Sequence, residues 1–320
     1  MNSTSLALNN LTSVAVLVFA FGFIAARLKS DVRIPDAVYQ VISVYLLLGI
    51  GLKGGHALHD TDFGAFIVPA LVTIAMGIII PFVAFYLLGL IKQLIRVDRG
   101  AIAAHYGSTS LVTFSAALLF IESNNIKVEG FATALLTLLE IPGLIVGIYL
   151  CSRALSSEVK WGKTVLEVFL GKTVLLLIGG LIIGYITTQG GFDKVKPFFI
   201  DLQGGILALF LLHLGYMAGN NWTEVRKVGP RLIIFGTLFP IFAGTLGALA
   251  GKAVGLSIGG CAILGVLCAS SSYIAAPAAV GVALPQANLS LALTSSIGIT
   301  FPFNLVFGIP LYIEIAKILN

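Results

Sequence analysis

The sequence predicts an all-α integral membrane protein: about ten transmembrane helices in two inverted five-helix repeats, with helices 4 and 9 broken. Three observations predict it. The 320 residues are 58% hydrophobic and 10% charged, where soluble domains carry about 25% charged residues. Apolar runs near 20 residues, the length that crosses a bilayer, recur along the whole chain. Segments of the first half return in the second half in the same order. The pattern lacks the short alternating strands of a membrane β-barrel.

The spans are predicted in order at 10–27, 34–52, 64–91, 100–121, 130–151, 164–187, 202–219, 229–251, 256–282 and 289–318. The first run ends at Arg27 and Lys29, with no basic segment before it and no small-residue cleavage pattern after it. It reads as a span rather than a signal peptide. The second carries IPDAVYQVISVYLLLGIGLKGG. The third contains Pro81, the fourth is interrupted at Gly107, and the fifth holds Glu140 and Pro142. The sixth opens beside Glu167 and Lys172, where a snorkelling lysine belongs at an interface. The seventh ends at Asn220–Asn221–Trp222, a boundary anchor. Pro240, Pro277 and Pro302 punctuate the last three.

Basic residues set the orientation. Loops after spans 1, 3, 5 and 7 carry Arg27, Lys29 and Arg33, then Lys92, Arg96 and Arg99, then Arg153, Lys160 and Lys163, then Arg226, Lys227 and Arg231. The opposite side carries Lys53, Lys127, Lys194, Lys196 and Lys252. The richer side belongs in the cytoplasm, so both termini are expected outside the plasma (bacterial-type inner) membrane. The formal charge of +5 is therefore no nucleic-acid signal. Cys151, Cys261 and Cys268 lie in or beside apolar runs without metal-type spacing, which argues against a zinc site or a disulfide framework.

LLGIGLKGG (47–55) matches LLHLGYMAG (211–219), GSTSLVTFSAAL (107–118) matches ASSSYIAAPAAV (269–280), and EIPGL (140–144) matches TFPFN (300–304). The offset stays close to about 160 residues. Five spans per repeat is odd, so the second copy enters the membrane inverted, a common plan for secondary transporters. The expected units are 1–152, a short cytoplasmic linker at 153–163, and 164–320.

Chemistry concentrates where spans 4 and 9 break. Gly107, Ser108, Thr109 and Ser110 stand opposite Ser270, Ser271 and Ser272 in the repeat. If each span unwinds there, a new half-helix begins with free amides, and its dipole favours an anion. Hydroxyls cap that helix and donate to a ligand. The two breaks are expected to meet near the bilayer midplane as a pocket for a small oxyanion. Glu140 is an ionisable side chain at mid-span and a candidate for ion or proton coupling. Its repeat mate Thr300 would add an oxygen from the other half. Such a pocket also has room for Na⁺, with Glu140, Ser110 and Ser272 as candidate ligands, and no cofactor beyond a coupling ion is expected. His105 and His213 read as core histidines. No catalytic triad or phosphate loop was found, so an enzyme is not expected.

The series GSTS, LLEIPG, ASSSYIAAPAA, LPQAN and GITFPFNLVFGIPLY, with IGLKGG in span 2, resembles the sodium-dependent bicarbonate transporter family. The resemblance runs from span 2 to the end of the chain. It implies ten spans, an inverted repeat, a homotrimer and Na⁺-coupled symport of bicarbonate, with the two serine runs as the anion site. The chain departs from the pattern in carrying Tyr273 and Glu140 where well-known members carry Asp. Tyr273 is thereby an expected ion-coupling position whose charge is lost. The loop after span 5 is short, which implies that docking of a PII-like regulator is reduced or absent. The alternatives are a proton- or sodium-coupled transporter of another small solute, such as a short carboxylate, and, less in keeping with an inverted repeat, an ion channel.

Overall fold

The structure is a computed structural model and describes residues 3–59, 61–152 and 161–320. Every regular element among them is helical. Hydrocarbon offers the backbone no hydrogen bonds, so a chain this apolar satisfies its amides internally as helices. In order these are α1 (Ser3–Leu11), α2 (Val14–Arg27), α3 (Asp36–His59), α4 (Phe63–Leu88), α5 (Arg96–Gly107), α6 (Leu111–Ser123), α7 (Ala132–Ser152), α8 (Trp161–Leu170) and α9 (Lys172–Ile186). There follow α10 (Gln189–Lys196), α11 (Gln203–Asn220), α12 (Trp222–Lys227), α13 (Pro230–Ala253), α14 (Ile258–Ala269), α15 (Ala275–Ala283), α16 (Leu289–Ser295), α17 (Phe301–Phe303) and α18 (Ile309–Leu319). Most of the expected linker, residues 153–160, lies outside the described residues.

Seven helical stretches are long and apolar enough to cross a membrane, or nine if each of two bent pairs counts as one span. The bent pairs are α1 with α2, at 47°, and α8 with α9, at 54°. Ten spans were expected. The remaining one corresponds to α14 and α15, which at 12 and 9 residues are each too short to cross alone.

Three boundaries differ from expectation for local reasons. Residues 188–201 were expected as a loop, but Thr188 caps Gly191 N at 3.3 Å and starts α10, which continues through a π-helical turn at Pro197–Asp201 into α11. The last span, expected to be interrupted at Pro302, instead holds π-helical turns at Ser296–Thr300 and Asn304–Gly308, widened turns that accommodate Pro302 and Pro310. Pro277 does not make the break in span 9. It sits in the first turn of α15, where its missing N–H has no intrahelical acceptor to lose.

The burial pattern sorts centre from rim. In the stretch Arg96–Ser123, 94% of the apolar window is buried, against 39% for Phe63–Leu88. The broken helices therefore run through the middle of the molecule, while exposed residues such as Val14, Ile182 and Leu238 form an apolar outer face.

Helix contacts fall into two groups. One holds α2, α3, α9 and α11, with α3 against α9 and α2 against α11. The other holds α4–α7 and α13–α18, with α5 against α7 and α4, and α14 against α18 and α13. The main contacts correspond between the halves: α3 with α9 as α11 with α2, and α4, α5 and α7 among themselves as α13, α14 and α18. Glycine lets the backbones touch: a Cβ on Gly51 would lie 2.9 Å from Gly180 Cα. The two loops that follow the broken spans are tied crosswise. Asn288 N, beyond α15, donates to Asp98 Oδ1 of α5 at 2.8 Å, and Ser257 N, at the start of α14, donates to Glu129 Oε1 beyond α6 at 2.6 Å.

Candidate functional site

Helix α5 ends at Gly107, and Ser108 turns extended, with φ −91° and ψ 173°. Ser110 then caps α6 by accepting from Thr113 N at 3.2 Å. In the second half Ser270 is extended likewise, with φ −81° and ψ 166°, and Ser272 Oγ accepts from Ala276 N at the start of α15 at 3.2 Å. Serine suits both places because its hydroxyl replaces the acceptor that the first turn of a helix lacks.

The two breaks meet. Thr109 Oγ1 lies 2.9 Å from Ser270 Oγ, which also accepts from Ser110 N at 3.0 Å. Ser110 Oγ donates to the Tyr273 hydroxyl at 3.2 Å. Ser272 N donates to the carbonyl of His105 at 2.7 Å, so the last turn of α5 satisfies an amide of the opposite break. Two hydroxyls of the serine runs, Ser108 Oγ and Ser271 Oγ, are buried without a partner among the described residues.

A small cavity of about 10 Å³ lies against this junction, lined among others by Thr109, Ser110, Glu140, Thr173, Ser272 and Tyr273. That is room for one water-sized occupant. Glu140 is 2% exposed and makes no hydrogen bond or ion pair among the described residues. Its neighbour one turn back, Thr137, does not cap it, since Thr137 Oγ1 is itself without a partner. The wall offers hydroxyls from both halves of the chain and one carboxylate. An oxygen set of this kind suits a small hard cation. No group of three or more His, Cys, Asp or Glu that could hold a metal occurs among the described residues.

Other expected site residues lie elsewhere. Gly107, the last residue of α5 before the break, is closely packed: a Cβ there would meet Pro81 at 2.6 Å and Gly143 Cα at 3.0 Å. Thr300 does not line the cavity with Glu140. Its Oγ1 donates to the Gly236 carbonyl at 2.8 Å and accepts from the Tyr106 hydroxyl at 2.6 Å. The π-helical turn of its span places it on α13 instead. His105 Nδ1 donates to the Ala101 carbonyl at 2.7 Å, and its Nε2 is left buried without a partner. The His213 ring lies against Tyr39 in the other helix group, with centroids 4.6 Å apart and planes tilted by 36°.

Two residues were missed. Asn304 Nδ2 donates to the Ala269 carbonyl at 2.8 Å, closing the open end of α14 at the break, and its Oδ1 accepts from the Tyr312 hydroxyl at 3.0 Å. An amide in an apolar run was the available signal. Thr173 had none, because only the bend between α8 and α9 brings it to the cavity.

The family model of the Na⁺-dependent bicarbonate transporter superfamily matches residues 14–317. No curated protein matches the chain.

Proposed function

Because the chain belongs to the Na⁺-dependent bicarbonate transporter superfamily, we propose that it is a secondary active transporter that moves bicarbonate or a similar small anion with Na⁺, by alternating access. It is a multi-pass membrane protein of a transporter family, not of an enzyme family. The observation that carries the proposal is the meeting of the two serine breaks around a single-ion cavity that holds the buried carboxylate of Glu140.

The division of labour follows from charge. A Na⁺-sized ion fits the cavity volume and the oxygens of Ser110, Glu140 and Ser272, and it neutralises the otherwise uncompensated carboxylate. The positive ends of α6 and α15 and the hydroxyls of the breaks attract the anion. The cavity is too small for bicarbonate beside a cation. Anion binding therefore goes with parting of the contacts around Ser270, and the partnerless hydroxyls of Ser108 and Ser271 are the donors to hand. Tyr273, a hydroxyl where a carboxylate would be expected, leaves Glu140 as the only charge on the cavity wall among the described residues.

The paired contacts of the two halves support an inverted five-plus-five repeat, with α14 and α15 together as the tenth span. Sparse contacts between the two helix groups support movement of one past the other. A homotrimer and a plasma-membrane location with both termini outside belong to the same reading. So does weak docking of a PII-like regulator.

One observation favours a second reading. A carboxylate without a partner among the described residues also suits a proton carrier, so H⁺-coupled transport of a short carboxylate is the alternative. Uptake of labelled bicarbonate into vesicles, with Na⁺ and pH gradients imposed separately, decides between them. Uptake driven by Na⁺ supports the first reading. Uptake driven by pH alone, and lost in Glu140→Gln, supports the second.

A further inference from the structure

Each half of the chain bends its first span, and the two bends are finished differently. In the first, Ser13 caps α2 by accepting from Val16 N at 3.3 Å, and the helix continues with the exposed, apolar Val14. In the second, Gly171 precedes α9 and offers no side-chain cap. The amides of Lys172, Thr173 and Val174 are thus left without intrahelical or capping acceptors, at the positive end of a 15-residue helix.

This uncapped end lies on a cavity of about 410 Å³ between α8, α9, α7 and α15. Two side chains beside it have no partner among the described residues. Lys172 is exposed and forms no ion pair among the described residues. Thr173 is only 4% exposed and makes no hydrogen bond there, yet it lines this cavity and the ion cavity at the serine breaks as well. The one carboxylate on the wall, Glu167, has Lys163 at 3.9 Å. The equivalent cavity at the first bend, about 480 Å³, shares no lining residue with the ion cavity.

We infer that the uncapped start of α9, with Lys172 and Thr173, is a second anion site: a staging position from which the transported anion passes to the broken helices. It lies on the helix group opposite the serine breaks. The proposal rests on the anion-transport reading only for the identity of its anion.

The test is charge-selective labelling of the full chain in detergent solution. The native Cys151, Cys261 and Cys268 are buried, and the parent protein sets the background. Thr173→Cys is treated with an anionic and a cationic methanethiosulfonate, each rate normalised to that reagent's rate with a free thiol. The anionic reagent is expected to react about fivefold faster, the factor that corresponds to about 1 kcal/mol of helix-terminus attraction. Lys172→Gln in the same background reduces the ratio, and bicarbonate slows the reaction. Ala278→Cys, on the opposite wall, reads the same cavity if Thr173→Cys does not fold. Equal rates, a faster cationic reagent, or no reaction with either overturns the site, whatever the protein transports. A fivefold anionic preference that acetate suppresses and bicarbonate does not leaves the site standing and removes bicarbonate as the substrate.

Discussion

Glu140 shows how far a single residue reports on function. A carboxylate buried to 2% exposure without a partner among the described residues destabilises its own fold, and such groups persist where they bind something. Glu140→Gln keeps the shape and removes the charge. The variant is expected to unfold at the same or a higher temperature in detergent, while Na⁺-driven uptake falls more than tenfold. A parallel loss of both would assign Glu140 to structure alone. Gly143 is the converse case. Its Cβ position is occupied by the Gly107 carbonyl, so α7 can lie against the break only without a side chain there. Gly143→Ala is expected to cost about 1–3 kcal/mol by overpacking, visible as a lower midpoint of thermal unfolding.

At the scale of elements, the broken helices work because their loose ends are held. Ser110, Ser272 and Asn304 satisfy the inner ends. The outer ends are tied crosswise by Asp98 to Asn288 N and by Glu129 to Ser257 N and Oγ. In one tie the carboxylate belongs to the helix, and in the other it belongs to the loop. Glu129→Ala removes the acceptor at the start of α14 and is expected to cost about 1–2 kcal/mol. Amide exchange should quicken at the first turn of α14 and not in α5, whose own tie is intact. The serine runs were legible as helix starts because a hydroxyl at a helix N-terminus has a local reason. The π-helical turns of the last span were not legible, because proline breaks a hydrogen bond without saying how the turn will re-close. Thr300 was consequently placed one wall away from where it lies.

For the whole molecule, the two helix groups make a mechanical claim. Lys53 of α3 and Glu122 of α6 form an ion pair across their boundary at 2.8 Å. If the groups move past each other, bridging Lys53→Cys and Glu122→Cys with a short bifunctional thiol reagent should stop uptake, and a cleavable bridge should restore it when cut. Transport that continues through the bridge would mean that this boundary does not move. The amino-acid sequence by itself determined the membrane class, the helical build, the two serine breaks and the solitary carboxylate. Each of these rests on composition, local hydrogen-bonding chemistry or an internal match, and none needs a neighbour distant in the chain. Only the tertiary structure decided which oxygens share a cavity. It brought Thr173 in through a 54° bend and put Thr300 out on α13. It also packed Gly107 against Pro81 and Gly143. Those outcomes depend on where backbones cross and how turns close, and a linear pattern of apolar and polar residues does not encode either.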